Sequence, residues 1–321
     1  MQYFDKEQIM DLLDMEGCIG LMRNTLVDYS TGKTIQVLRT AMPLGDKKIL
    51  GLMPAANTNL GIAGAKIITI FHDNFQKGLP SHQGVVILFS MEDGSLKCML
   101  NGDAITGIRT AAVSAAATDA LARKDAHVLC VMGSGLQARR HVQAVSLVRD
   151  ITEIRVWDIS RESVKRFKAE MEATYGVPVK DCCDNVQEAV TGADIICTVT
   201  AAHEPILFGA HISAGTHINA VGACGAAHRE LDTEAVAKSR FFCDSRQSCM
   251  AEAGDLLIPI KEGALTEDHL LGEIGLVFNG EIPGRISEDD VTVFEAQGIA
   301  VEDLSSAYYI YDKFCKQEEA K

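Results

Sequence analysis

Residues 127–138 read His-Val-Leu-Cys-Val-Met-Gly-Ser-Gly-Leu-Gln-Ala. The first half is an apolar run of strand length. The second half, Gly133-Ser134-Gly135-Leu136-Gln137-Ala138, has the form G-x-G-x-x-A and opens a helical pattern, LQARRHVQAVSLV. Strand, glycine turn and helix in that order predict a dinucleotide-binding βαβ unit, whereas the glycines alone would be a weak signal. Gly133 permits the tight turn and Gly135 lets backbone N–H groups approach a pyrophosphate. Ala138 replaces the usual third glycine while keeping the helix close to the strand. Asp158 ends the next apolar run, Glu153–Trp157, 25 positions after Gly133. A carboxylate there accepts hydrogen bonds from an adenosine ribose diol and repels a 2′-phosphate, which favours NAD over NADP, although the nearby Arg161 would offset part of that repulsion.

Outward from this turn, HVLCVM, EIRVWD, ADIICTVT, HINAVG and RFFCD alternate with helical patterns. Short, fully apolar runs of this kind are buried parallel strands, so the fold class is α/β with a doubly wound sheet. The earlier half differs. Its first thirty residues read as helix, with Asp5 and Gln8 in capping-box spacing and Cys18, Met22 and Leu26 four apart. From Val37 to Leu100, β-like runs (KKILGLMP, GAKIITIF, GVVILFS, SLKCML) are punctuated by turn residues such as EDGS, which predicts an antiparallel or mixed sheet. Ile105–Ala122 reads as one alanine-rich helix, and Thr292–Lys321 reads as helical.

Composition narrows the function. The 321 residues carry 30 basic and 44 acidic side chains, a net charge of −14, with 47% apolar residues. Such acidity argues against nucleic acid as a partner, and no run has the roughly 20 apolar residues of a membrane span. The opening MQYFDKEQIMDLLDMEG lacks the basic start and apolar stretch of a signal peptide. Most of the ten cysteines sit in apolar runs and read as small core residues, so the expected setting is reducing and cytoplasmic. Cys182-Cys183, His211 and His217 lack metal-ligand spacing, and no metal is expected.

Arg39, Lys66 and Arg109 stand beside apolar runs (TIQVLRTAMP, GAKIITIF, AITGIRTAA). Singly, such a cation more often snorkels or pairs with an acid. Together, in an acidic chain, the three form a receptor for a substrate carboxylate. One opposite charge at about 4 Å contributes on the order of 4 kcal/mol at an effective dielectric of 20, before desolvation.

These residues carry a resemblance. The blocks GAKIITIF, LPSHQGVVILF, GDAITGIRTAAVSA, VMGSGLQA, EPILFG, HINAVGA, HRELD and VFEAQGIAVED resemble, in order and over nearly the whole chain, the ornithine cyclodeaminase/mu-crystallin family, on its ketimine reductase and alanine dehydrogenase-like side. The resemblance implies a Rossmann domain at 113–299 inserted into an α+β substrate-binding and dimerisation domain, 1–112 plus 300–321, in a homodimer. It implies hydride transfer between NAD and the α-carbon of a small amino or imino acid. Arg39 and Arg109 fall on the carboxylate-binding cations, with Met53 and His82 on the substrate side. Lys66 and Asp232 fall on the catalytic positions, although L-D-T-E is also a helix-start signal and His82 reads equally as a loop histidine. The cofactor positions are Gly133, Ser134, Gly135, Leu136, Gln137, Ala138 and Asp158, with Thr198, Val199, Thr200, Asn219, Val221 and Gly222 lining the nicotinamide side. Ornithine-specific members carry a glutamate directly before Leu-Met-Pro. This chain has Gly51 there, so the distal amine of ornithine lacks its partner. The segment ACGAAHRELD also lacks a proline found in related reductases. Two other readings are a cyclodeaminase with catalytic NAD and ammonia release, and a crystallin-type binding protein with little turnover. Lys66 and Asp232 weigh against the second of these.

Overall fold

The computed structural model describes residues 2–46 and 48–321. The chain forms two compact units, Met1–Arg109 with Gly298–Lys321, and Thr110–Gln297. In the first, β1 (Gln2–Phe4), β2 (Thr34–Gln36), β3 (Thr40–Gly45), β4 (Lys48–Asn57), β5 (Ile62–Phe71), β6 (His82–Ser90) and β7 (Leu96–Asn101) make one sheet. Its order is β1-β7-β6-β5-β4-β2, with β3 also paired to β4. All pairings are antiparallel except β1 with β7. The EDGS turn between β6 and β7 is closed locally, because Asp93 accepts hydrogen bonds from the Ser95 N–H and hydroxyl and Gly94 takes φ +74°.

The opening thirty residues are not one helix. After β1 come Lys6–Leu12 and Met15–Ser30. The capping box is present, with Asp5 accepting from the Gln8 N–H and Gln8 from the Asp5 N–H. Asp14 then caps a second helix by accepting from the Gly17 N–H at 2.7 Å, and this second start breaks the run. Cys18, Met22 and Leu26 are buried on one face of that helix. The helix Ala300–Glu319 packs on β4, β5, β6 and on Met15–Ser30. Gly64 permits this approach, since a Cβ there would stand 2.0 Å from the Ile87 carbonyl oxygen and 3.0 Å from Leu304.

The helix Gly102–Leu121 carries the chain into the second unit. There β8 (Val128–Met132), β9 (Glu153–Trp157), β10 (Val179–Asp181), β11 (Ile195–Thr198), β12 (His217–Ala220), β13 (Ser239–Cys243), β14 (Leu270–Glu273) and β15 (Val291–Glu295) form a wholly parallel sheet. The order β10-β9-β8-β11-β12-β15-β13-β14 reverses direction at β8, the switch point of a doubly wound sheet. Cys130, Ile196 and Ile218 face one core, and Leu129, Val131 and Ile195 face the other. Both faces are covered, which is why these strands are continuously apolar. Thr292–Glu295, expected to be helical, belongs to β15, whose five residues are all buried.

Among the described residues no helix is long and apolar enough to cross a membrane. Among the described residues no two cysteines form a disulfide.

Candidate active site

The glycine turn is built as its sequence requires. Gly133 follows β8 at φ +109°, and its N–H donates to the Trp157 carbonyl at 2.7 Å. A Cβ there would stand 2.9 Å from the Val199 carbonyl oxygen. Gly135 is the N-cap of the helix Leu136–Val145, with no side chain capping it, and the space where its Cβ would lie is open. Exposed N–H groups at the positive end of a helix, with an open approach, fit a pyrophosphate. Ala138 is buried against the sheet. Arg139 braces the turn by donating to the carbonyls of Ser134 and Gly135. Asp158 accepts from the Ser134 hydroxyl at 2.6 Å and from the Ser160 N–H at 2.9 Å, so the acid is fixed against the turn. Arg161 pairs with Asp184 rather than with Asp158. Leu136 and Gln137 form the exposed and half-buried start of the helix.

The segments after β11 and β12 are tied to the sheet and to each other. Val199 N–H donates to Met132, and the N–H groups of Val221 and Gly222 donate to the Thr198 carbonyl. Asn219 is fully buried, its amide spent on Thr118 (2.9 Å) and His217 (3.3 Å). His217 is a core histidine; burial pulls its imidazole down to about 3. Glu230, which sequence reasoning did not single out, accepts from the Thr200 N–H (2.8 Å), the Thr200 hydroxyl (2.6 Å) and the Gly222 N–H (2.9 Å). Burial raises its carboxyl above the ordinary range, against the pull of those donors.

Asp232 is half-buried and caps the helix Thr233–Ala237. Its Oδ1 accepts from the N–H groups of Gly209 and Ala235, both at 2.8 Å. Among the described residues its Oδ2 accepts no hydrogen bond. The same residues include no group of histidines, cysteines and acids suited to a metal ion.

In the first unit the three cations are gathered around the start of the helix Ala300–Glu319. Lys66, on β5, is buried with its Nζ 2.8 Å from Asp303 Oδ2. Arg109 donates from Nε to Asp303 Oδ1 at 3.1 Å and from Nη1 to Glu302 at 2.8 Å. Gly298 lies between the arginines. Its carbonyl is 3.4 Å from Arg39 Nη2, and a Cβ on it would stand 2.8 Å from Arg109 Nη1. Three cations and two carboxylates thus meet at the start of this helix. Burial pulls the Lys66 ammonium down to about 8; Asp303 opposes this and Arg109 adds to it. Burial pushes Asp303 upward, but Arg109 and Lys66 outweigh it and hold its carboxyl below the usual range. Glu302 and Asp303 were missed in the sequence because two acids in a first turn read as macrodipole partners.

Met53 is buried directly opposite Lys66 in the β4–β5 register. Gly51 lies two positions along on the same face, 3.0 Å in Cβ reach of Ile68. His82 is not in a loop and is not brought to the cluster. It begins β6, exposed, with its Nδ1 at the Ser81 hydroxyl, four residues or about 13 Å along the strand from Val86, which faces Lys66.

Residues 3–318 match the Ornithine cyclodeaminase/mu-crystallin family. The chain is similar to "Ketimine reductase mu-crystallin" of Mus musculus, 37% identical over 317 residues and 97% of each chain. Among solved structures it is similar to the Thermococcus litoralis Delta(1)-pyrroline-2-carboxylate reductase in complex with NADH and L-proline. That likeness has a TM-score of 0.95 and 33% identity, over 99% of this chain and 98% of that one. It is also similar to an archaeal alanine dehydrogenase dimer with bound NAD, at a TM-score of 0.93 and 27% identity, over 99% and 97%.

Proposed function

The chain belongs to the ornithine cyclodeaminase/mu-crystallin family, and on that footing we propose that it is an NAD-dependent reductase of small 2-imino acids. Oxidation of the corresponding amino acid is the reverse reaction. The observation that carries this reading is the gathering of Lys66 and Arg109, both buried, with half-buried Arg39 at the start of the helix Ala300–Glu319, beside Asp303 and Glu302.

Residues 113–299 hold NAD, with the pyrophosphate over Gly133–Ala138, the ribose at Asp158, and the segments Thr198–Thr200 and Asn219–Gly222 toward the nicotinamide. Residues 1–112 with 300–321 hold the substrate. NADH, when bound, supplies the hydride that converts the C=N carbon to C–H. Arg39 and Arg109 bind the substrate carboxylate and fix the α-carbon, which is catalysis by positioning. Lys66 donates the proton that completes the amine nitrogen, a role suited to an ammonium group held near neutrality. Asp232 offers Oδ2 to the substrate nitrogen and stabilises its positive charge, while Oδ1 stays with the backbone. Met53 contributes apolar wall beside Lys66. Asp158 favours NAD, since a 2′-phosphate would meet its carboxylate and Arg161 is engaged elsewhere. The absence of a side chain at Gly51 counts against ornithine as substrate.

The protein acts in the cytoplasm as a homodimer. Ile35, Val37, Met42, Leu44 and Leu52 are large apolar side chains exposed along β2–β4 and its links, a surface that a second copy would cover.

The test is incubation with NADH and a five- or six-membered cyclic 2-imino acid, following loss of the nicotinamide absorbance band. Ornithine and lysine are assayed beside it for ammonia release with NAD. Loss of the band with the imine is the expected result. Ammonia release without net NADH would establish a cyclodeaminase instead, and silence in both assays would leave a binding protein.

A further inference from the structure

The geometry points to Glu230 as the positioning residue that locks the segments after β11 and β12 into one shape. It would thereby hold the nicotinamide half of the cofactor site, an inference that rests on the NAD reading above. Every polar group of this residue is used to tie one piece of chain to another. Its side chain takes Thr200 on one oxygen and Gly222 on the other. Its carbonyl accepts from the N–H groups of Ile206 and Leu207 at 2.8 and 2.9 Å, and its own N–H donates to Asp255 at 2.9 Å.

The fit leaves no slack. A Cβ on Gly222 would stand 2.2 Å from the Thr200 carbonyl and 2.6 and 2.7 Å from the two Glu230 oxygens. The rings of His203 and His228 stack at 3.9 Å, joining the same two segments further out. Among the described residues no salt bridge is made by Glu230, so its buried carboxylate rests on N–H and hydroxyl donors alone. Such a group is a poor source of stability, because an apolar side chain of the same volume would avoid the desolvation. What it does supply is a fixed spacing between two backbone segments. Those segments leave the carboxyl ends of neighbouring parallel strands, the edge at which open α/β sheets bind ligands.

The test is Glu230→Gln. Whichever way the amide sits, its NH2 meets either the Thr200 donors or the Gly222 N–H, so one tie is broken with little change of volume. Dissociation constants are measured by fluorescence for NADH and for ADP-ribose, which lacks the nicotinamide. The expected result is a loss of NADH affinity of about tenfold or more, with ADP-ribose affinity unchanged within twofold. Thr200→Val removes the hydroxyl that donates to Glu230 and accepts from the Ala202 N–H at 3.1 Å; leaving the Thr200 and Gly222 N–H ties in place, it is expected to give a smaller loss of the same kind, which keeps the test open should Glu230→Gln fold poorly. Equal losses for both ligands, or no loss for either, would overturn the inference. Wild-type protein that binds neither ligand would remove the NAD reading itself.

Discussion

The two units bury charge in opposite ways. Around Lys66 and Arg109, cations and carboxylates interlock at 2.8–3.1 Å, so the burial penalty is met by opposite charge and Asp303 stays ionised. In the second unit Glu230, Asp255 and Glu295 are buried, and among the described residues none of them forms an ion pair. Burial pushes Asp255 up to about 8, with the charge of Glu230 adding to this and the N–H groups of Leu231 and Glu230 opposing it. Glu295 is likewise raised by burial, and Asp255 adds to the effect. The first arrangement holds its charge by pairing it. The second gives up charge readily and works through hydrogen bonds that hold backbone in place. The two units of one chain therefore bury acids with different electrostatics.

The contrast is broken most severely at Arg109. Arg109→Leu takes from Glu302 and Asp303 the guanidinium they share, leaving Asp303 with Lys66 alone of the two cations, and removal of one partner of such a group costs about 3–5 kcal/mol of folding stability. With the carboxylate donors gone, kcat/KM for the imino acid is expected to fall by about a thousandfold or more. Denaturant unfolding and steady-state kinetics read the two losses. Adding Glu302→Leu should recover part of the stability and none of the activity, separating charge balance from substrate binding.

A smaller effect is expected at Asp303. The wild-type kcat/KM should decline as pH rises through about 8, where Lys66 loses its proton in the free enzyme. Asp303 raises that proton affinity, so Asp303→Asn should move the alkaline limb to lower pH by about one unit or more. A limb that stayed in place would separate Lys66 from the proton transfer.

The smallest effect concerns Asp255. Its carboxyl is raised in the folded protein, to about 8 against an ordinary 3.8, so the folded state holds a proton that the unfolded state has lost. The stability it contributes is complete below the lower value and is lost as pH rises through the higher one. Asp255→Asn removes that dependence. Thermal melts should show the variant gaining on wild type from about pH 5 to about pH 8.5, by a few degrees, and holding constant beyond. A gap independent of pH would mean that Asp255 is ionised throughout.

The second unit was the more legible in sequence. A glycine turn at Gly133 after an apolar run, and an acid at Asp158, are local features that need no knowledge of distant contacts. β15 was missed despite its Val-Thr-Val start, because a five-residue, fully buried run has no alternation to distinguish it from a helix that follows it. Asp14 was missed as a helix cap because nothing in the apolar pattern stops at that point. In the first unit the cations stood out as charges in apolar runs, but their partners did not. Arg109 and Asp303 are 194 positions apart, and pairing over that distance leaves no trace in spacing. Glu230 was hidden for a similar reason, since its importance lies in Thr200 and Gly222 rather than in its neighbours.

The helix Ala300–Glu319 brings Glu302 and Asp303 to cations that were translated some two hundred residues earlier. During synthesis, the leading segment leaves the ribosome with Lys66 and Arg109 well ahead of Glu302 and Asp303. It must wait until the whole intervening unit has emerged before it can close. The order of assembly is thus written into the chain: the second unit is free to mature first, and the buried ion pairs of the first are finished last.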